Sequence, residues 1–197
     1  MRQYITSDWH LFHRNIMGES GFVETRKHFD YVEEMNATII KAINRVVTND
    51  DEVYHLGDIS MNAKPHKVFE VLTQIKGQLH LVKGNHDDSK VLNYLKKHNY
   101  LLPNGKDKFV IYEVGTIIKR EGIQYYLTHY PLVIGAKRAR MRSICGHIHE
   151  NHAEDPNCLN VGIDSPELPK DHPFGEPLEI TVAMALVNTK WVNHNEL

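Results

Sequence analysis

The chain has 197 residues, of which 41% are hydrophobic and 24% charged, a composition and length that suit a globular protein with a sizeable core. Its formal net charge of −2 excludes the strongly basic character of a non-specific nucleic-acid-binding protein. Two cysteines, no leader pattern in MRQYITSDWH and no apolar run of membrane-spanning length predict a reducing, cytoplasmic setting without membrane insertion.

The first half of the chain alternates between strand and helix patterns. RQYITS (2–7), EVYHLGD (52–58) and QLHLVKG (78–84) predict strands, and VFEVLTQI (68–75) predicts a helix. An earlier helix is predicted by five apolar residues at the spacing of one helical face, with Asp30 as its N-cap: Val32, Met35, Ile39, Ile43 and Val46. This alternation is typical of a largely parallel sheet.

The second half is richer in strand patterns. FVIYEVGTIIKR (109–120) predicts a hairpin and IQYYLTH (123–129) a strand. Three more short strands are predicted in SICGHIH (143–149), CLNVGID (158–164) and EITVAMALV (179–187). A chain that begins parallel and ends mostly antiparallel favours a two-sheet α/β sandwich with helices outside over a single open sheet. No linker or composition shift marks a boundary, so we expect one domain over 1–197.

The stretch LVKGNHDD (81–88) passes from an apolar run through Gly84 to an amide, an imidazole and two carboxylates. The Gly-Asn pair is also typical of turns, because both residues tolerate positive φ angles. Asp88 with Ser89 could cap a following helix. Alone, this stretch does not distinguish a turn from a functional site.

Five polar clusters follow predicted strands directly, at the strand ends where the chemistry of open α/β sheets gathers. They are Asp8-Trp9-His10, Gly57-Asp58, Gly84-Asn85-His86-Asp87, His129-Tyr130-Pro131 and Gly146-His147-Ile148-His149. Asp8 and His10 lie two apart on an extended chain and project to the same side, as do the two histidines of GHIH. Imidazole is the commonest metal-binding side chain, and the chain has 14 histidines, so these clusters predict a metal site.

In their order, DWH, GD, GNHD, H and GHIH resemble the motifs of the calcineurin-like metallophosphoesterases, over residues 8 to 149. The resemblance implies a two-sheet αββα sandwich and two divalent metal ions, for which Mn, Fe, Zn and Ni are all suitable. It implies that Asp8, His10 and His149 bind one ion. It implies Asn85, His129 and His147 as ligands of the other, with Asp58 bridging both. His86 would face the substrate as a catalytic residue.

Two ions about 3.5 to 4 Å apart can hold a hydroxide between them and stabilise an in-line displacement at phosphorus, so no Ser or Cys nucleophile is required. We therefore expect a dinuclear metal-dependent phosphoesterase that acts by attack of metal-bound hydroxide. Small phage and bacterial family members look similar, including the VYHLGD and LNVGIDSP stretches. The chain is small and lacks an obvious cap domain, which favours an extended or cyclic phosphodiester of the nucleotide type.

The sequence departs from the family pattern after the GD motif. GDISM places Met61 where many members carry a charged residue, and it lacks the acidic-arginine pair of the protein phosphatases. A phosphoprotein phosphatase is therefore disfavoured. The group that orients His86 stays open between Asp87, a backbone carbonyl and water.

Other polar residues have weaker signals. His13 and Asn15 continue from the first metal motif and are candidate substrate contacts, whereas His55 and His80 lie in strands and are expected to be satisfied or surface histidines. The basic run AKRARMR (136–142) is either a solvated loop or a phosphate-steering segment. The alternative functions are a phosphomonoesterase, a catalytically weak binding module on the same fold, and a repair nuclease.

Overall fold

The computed structural model describes residues 1–134 and 139–195. The elements in chain order are β1 (Gln3–Thr6), α1 (Val32–Val46), β2 (Glu52–His55), α2 (Pro65–Leu72), β3 (Gln78–Val82), α3 (Ser89–Lys97), β4 (Phe109–Tyr112), β5 (Gly115–Arg120), β6 (Ile123–Thr128), β7 (Met141–Cys145), β8 (Cys158–Asn160), β9 (Leu178–Glu179) and α4 (Ile180–Asn195). Short 3₁₀ turns at Arg14–Ile16 and Glu24–Arg26 precede α1. Across the described ranges, no helix has both the length and the apolar character needed to cross a membrane.

The strands form two sheets, which confirms the predicted two-sheet α/β sandwich. The first has the order β4-β3-β2-β1-β9, in which β1 to β4 run parallel and β9 runs antiparallel to β1. The second has the order β5-β6-β7-β8. The expectation of a mostly antiparallel second half is wrong, because β6-β7 and β7-β8 pair in parallel. Parallel strands need long connections, and the two that follow β6 and β7 carry the HYP and GHIH segments.

Successive residues of the first sheet face two different cores, as the two-residue period of a strand requires. Tyr4 and Val53 pack with the apolar faces of α1, α2 and α3. Ile5 and Tyr54, the next residues along β1 and β2, pack with side chains of the second sheet such as Leu127. The first sheet is therefore the central layer, with helices on one face and the second sheet on the other.

The prediction of a strand over 179–187 is wrong. Only Leu178–Glu179 pairs with β1, and α4 begins at Ile180. The β-branched residues at its start favour a strand locally, but Ile180, Ala183, Met184 and Val187 are buried in the core between the sheets. Their spacing is that of one helical face, and packing of that face against strands of both sheets outweighs the local preference.

The predicted hairpin over 109–120 is also wrong. β4 pairs with β3 in the first sheet, whereas β5 pairs with β6 in the second, so the chain changes sheets between them. The true hairpin joins β5 to β6 through Glu121 and Gly122, whose φ angles are 49° and 77°. Two-residue hairpin loops with both φ angles positive match the twist of antiparallel strands.

The N-terminal ends of α1 and α3 can be compared with the capping residues that the sequence offers. The carboxylate of Asp88 accepts a hydrogen bond from the backbone of Lys90 at 2.8 Å and caps α3, one of the two roles that the sequence left open for this stretch. The N-cap of α1 is Tyr31, without a side-chain capping bond, so the assignment of Asp30 is wrong. Val32 begins α1 and is buried, which indicates that core packing fixes this helix end.

Candidate metal centre

The loops after five strands meet at one edge of the sandwich and bring the seven predicted ligands together. Four of them are buried: Asp8, His10, Asp58 and His129. His147 and His149 are half-buried, and Asn85 is exposed. Parallel strands direct their carboxyl ends to the same edge, which explains how segments distant in sequence converge.

The side chains form two groups. The ligand atoms of Asp8, His10 and His149 lie within 4.8 Å of one another, and those of Asp58, His129 and His147 do the same. Asn85 joins the second group, because its Oδ1 atom lies 2.8 Å from His129 Nε2. The grouping is the one that the family resemblance implies.

Asp58 lies between the two groups. Its Oδ2 atom is 3.5 Å from His10 Nε2 and also 3.5 Å from His129 Nε2. Its other oxygen accepts a hydrogen bond from the backbone N–H of His86 at 2.9 Å. One carboxylate oxygen is thus equally close to both groups, as a bridging ligand must be.

The donor set fits divalent metal ions. His10 Nε2 is buried and has no hydrogen-bond partner among the described residues. A buried nitrogen without a partner costs about 1–3 kcal/mol, a cost that a bound metal ion would remove. Burial and the Arg26 charge hold the pKa of His10 far below its ordinary value, which keeps the imidazole in the neutral, metal-binding form. Burial also raises the pKa of Asp8 to about 7, a shift that a bound cation would reverse. Nitrogen and oxygen donors without thiolate suit Mn, Fe, Zn or Ni.

The backbone at the centre is strained. Five of the predicted ligands have left-handed φ angles between 46° and 72°: Asp8, His10, Asp58, His147 and His149. Such conformations cost of order 1–3 kcal/mol each in residues other than glycine, and they cluster at functional sites. Backbone hydrogen bonds from Asp8 to Gly57 and from His10 to Asp58, both 3.0 Å, hold the first two loops against each other.

Two glycines are required by close approach to the ligands. A Cβ atom at Gly84 would collide with the Asp58 carboxylate, and one at Gly146 would collide with Ser7 and Asp8. The glycines of the GNHD and GHIH motifs therefore make room for carboxylates of other loops.

Sequence reasoning missed a buried ion pair behind the first group. Arg26 Nη2 donates to Asp164 Oδ2 at 2.6 Å and to the carbonyl oxygen of Asp8 at 2.6 Å, while its Nη1 donates to the carbonyl of Trp9 at 2.9 Å. Asp164 Oδ2 also lies 3.5 Å from His149 Nδ1. Carboxylates in this position orient metal-binding histidines. Asp164 belongs to the LNVGIDSP stretch, but no local spacing connects it to Arg26.

Asp87 holds the GD and GNHD loops together. Its carboxylate accepts hydrogen bonds from the backbone N–H groups of Gly84, Asp58 and Ile59, at 2.8, 2.9 and 2.8 Å. Burial raises its pKa to about 6. The carboxylate that was a candidate for orienting His86 is thus directed at the backbone instead.

The remaining predicted site residues differ in their positions. His86 is exposed, with its ring centroid 5.3 Å from that of His10. His13 is buried, and its Nδ1 atom lies 3.3 Å from His10 Nδ1, so it packs directly behind a predicted ligand. Burial lowers the pKa of His13. Asn15 is exposed on the turn Arg14–Ile16, with no hydrogen bond to the centre within the described part of the chain.

The two strand histidines have different environments. His80 is satisfied by Tyr112 Oη at 2.9 Å and Gln78 Oε1 at 3.1 Å, as expected. His55 is fully buried against the ring of Trp9, and neither of its ring nitrogens has a hydrogen-bond partner among the described residues. The expectation of a satisfied or surface histidine is therefore wrong for His55.

Most of the basic run cannot be assigned to the centre. Residues 136–138, including Arg138, lie outside the described residues. Arg140 is exposed. Arg142 is buried, and its guanidinium carbon lies 4.4 Å from the ring centroid of Trp191, so it stabilises the packing of α4 on the second sheet.

A cavity of about 550 Å³ opens beside the half-buried histidines of the centre. Its wall consists of the segments 131–133, 147–149 and 151–155 together with Cys158. This volume lies in the range of small-molecule sites.

Known proteins resemble the chain in sequence and in fold. An uncharacterized protein of Methanocaldococcus jannaschii is 33% identical over 135 residues, which cover 66% of this chain and 74% of that protein. The Gene 66 protein of Mycobacterium phage L5 is 36% identical over 92 residues, which cover 46% of this chain and 42% of the phage protein. A crystal structure of a protein of unknown function from Aquifex aeolicus has the same fold, with a TM-score of 0.64 and 22% identity, over 94% of this chain and 98% of that one.

The match to a family agrees with the geometry of the centre. Residues 1–172 match the calcineurin-like phosphoesterase superfamily domain, so the match includes all seven predicted ligands and both candidate metal groups. Together, the fold, the two groups and this match show that the chain belongs to the calcineurin-like phosphoesterase superfamily.

Proposed function

We propose that the protein is a dinuclear metal-dependent phosphodiesterase for a nucleotide-type substrate. The observation that carries this proposal is the position of Asp58, whose Oδ2 atom is 3.5 Å from a histidine of each group. A single carboxylate between two sets of nitrogen and oxygen donors is the arrangement that a pair of ions requires.

Seven residues would bind the two ions. Asp8, His10 and His149 would hold one ion. Asn85, His129 and His147 would hold the other. Asp58 would be shared. When bound, two such ions supply an activated water at neutral pH and neutralise charge that develops on the phosphoryl group.

His86 would protonate the leaving oxygen. Its side chain is exposed beside His10, so a bound ester can reach it. Its backbone N–H donates to Asp58 at 2.9 Å, which ties the position of this loop to the shared carboxylate. General-acid assistance of this kind typically contributes about 10²–10⁴-fold to the rate.

The surroundings of the centre favour a diester. Asn85 and His86 are exposed, and the 550 Å³ cavity beside His147 and His149 has room for a second organic group on the phosphate.

A screen of phosphate esters tests the proposal. The protein, loaded with Mn²⁺ or another divalent ion, is assayed with matched mono- and diesters, cyclic nucleotides and single-stranded DNA. We expect hydrolysis of diesters that is lost with a chelator and restored by the ion, and that is abolished in Asp58→Asn. Full activity after complete metal removal, verified by elemental analysis, would contradict the mechanism. Hydrolysis of monoesters alone would replace the diester assignment.

A further inference from the structure

Two exposed aromatic side chains border the candidate metal centre. The Phe22 side chain is 63% exposed, and its ring centroid lies 5.8 Å from that of His13 and 6.5 Å from that of His149. The Tyr130 side chain is 50% exposed, and its ring centroid lies 4.6 Å from that of His147. One ring borders the first group of ligands and the other borders the second.

Phe22 is held in its exposed position by buried neighbours. Gly21 approaches the backbone of Met17 so closely that any Cβ atom there would overlap it. Val23 is buried, and the following turn ends at the fully buried Arg26. The segment is thus anchored on both sides of Phe22, while the Phe22 side chain itself stays exposed.

Tyr130 is anchored in a similar way. Its backbone carbonyl accepts a hydrogen bond from Thr128 Oγ1 at 2.8 Å, and the preceding residue, His129, is buried. The Tyr130 ring meets the His147 ring edge-on, at an interplanar angle of 67°. The Tyr130 ring therefore contacts a predicted metal ligand and still leaves half of its surface available to a bound base.

Exposed aromatic rings fixed beside a site are a recognised means of binding nucleobases, because stacking is strong and every base has a flat face. A negatively charged patch or a bare polar rim would not provide this contact. The exposed Tyr31 shows the contrast, since it lies at the start of α1 and beside a different cavity, with Arg14 and Glu33.

We propose that the substrate is a phosphodiester between two nucleosides, and that Phe22 and Tyr130 stack on the bases on either side of the scissile phosphate. This inference rests on the proposed function and adds the substrate class to it. The phosphorus of a diester carries two organic groups, of which hydrolysis releases one, and one exposed ring borders each of the two groups of metal ligands.

The test compares two diesters that differ only in their bases. One is a dinucleoside monophosphate of thymidine, and the other is the same compound with hydrogen in place of each base, so that charge and leaving oxygen are equal. We expect the native protein to prefer the first compound by at least about tenfold in kcat/KM, since stacking on one ring gives about this factor. Phe22→Leu and Tyr130→Leu should each reduce the preference, mainly through KM, whereas Phe22→Tyr should retain it. The matched control, Tyr31→Leu, should not change it.

A binding measurement provides a second readout. In a Phe22→Trp variant, thymidine 5′-monophosphate should quench the new indole fluorescence and deoxyribose 5-phosphate should not. Equal kcat/KM for the two diesters, or a preference that survives both leucine variants, would overturn the stacking proposal and leave the phosphoesterase function intact. Failure of the native protein to hydrolyse any ester would overturn the proposed function, and the fluorescence titration would then decide the stacking proposal alone.

Discussion

Asp164 accepts hydrogen bonds from Nε and Nη2 of Arg26, at 3.0 and 2.6 Å, and neither side chain is exposed. Burial opposes ionisation of Asp164, but the charge of Arg26 and the hydrogen bonds from His149 and Arg26 hold its pKa well below the ordinary value. The pair also holds the carbonyl oxygens of Asp8 and Trp9 through the guanidinium. This buried pair therefore supports the loop that presents the first group of ligands.

We expect Asp164→Ala to lower the free energy of unfolding by about 3–5 kcal/mol, because it leaves the Arg26 charge buried without a partner. Denaturant unfolding followed by circular dichroism measures the change. The control is Glu70→Ala, which breaks the exposed pair of Lys67 and Glu70 and should have little effect. Equal effects of the two substitutions would show that the buried pair is not important for stability.

Asp58→Asn should reduce the metal content of both groups, whereas His147→Ala should mainly empty one. The reason is that Asp58 is close to a histidine of each group, while His147 belongs to a single group. Elemental analysis of the purified variants gives the number of ions per chain. Identical losses in the two variants would contradict the assignment of Asp58 as the bridge.

His86→Ala should bind metal normally and should lose far more rate with a nucleoside or alkyl ester than with a nitrophenyl ester. An alkoxide needs a proton to leave, whereas nitrophenolate departs unaided, so only the first reaction depends on a general acid. The backbone hydrogen bond from residue 86 to Asp58 is kept in this variant. Equal rate losses with both esters and an intact metal content would instead assign His86 to charge stabilisation.

The buried Lys108 gives a prediction for alkaline pH. Its Nζ atom donates to the carbonyl oxygens of Ile75 and Gly77, at 2.5 and 2.7 Å, and burial lowers its pKa to about 8. An unfolded lysine has a pKa of about 10.4, so between these two values the unfolded chain binds more protons, and stability rises with pH. The stability that the native protein gains when Lys108 is neutral is fully present above the unfolded pKa. It decreases as the pH falls from that value and is lost as the pH falls through about 8.

Unfolding of the native protein and of Lys108→Met at pH 7.5 and 10 isolates this effect, because other titrating groups are common to both. We expect the native protein to gain about 2 kcal/mol more than the variant between these pH values. Parallel pH dependences for the two proteins would show that Lys108 titrates as an ordinary surface lysine.

The two candidate metal groups were predictable from sequence because their residues lie in short motifs at strand ends. Asp8 and His10, or His147 and His149, are close neighbours in the chain, and each motif follows an apolar run. Arg26 and Asp164 were not predictable in this way, since they are 138 residues apart and only the fold brings them together. The same holds for Asp87, whose role depends on backbone groups of another loop.

The errors in the fold also arise from contacts that a local pattern does not contain. Ile180 begins a β-branched run, and only its burial with Ala183 and Val187 between the sheets reveals a helix. The pattern of FVIYEVGTIIKR predicts a hairpin over 109–120, but its two halves pair in different sheets, which a local pattern does not reveal. The observed turn at Glu121 and Gly122 has only Gly122 as a local signal, because a glutamate is not a residue type that favours the positive φ angle it adopts there.

Each group of ligands takes members from both sheets. Asp8 and His10 follow a strand of the first sheet, His149 follows a strand of the second, and the other group is divided in the same way. A bound ion would therefore cross-link the two layers, by joining residues as distant in sequence as Asp8 and His149. Because an unfolded chain cannot present these ligands together, ion binding would stabilise the fold by about 2.7 kcal/mol at a free concentration one hundred times its dissociation constant. Separation of the sheets and release of the ions would then be a single event.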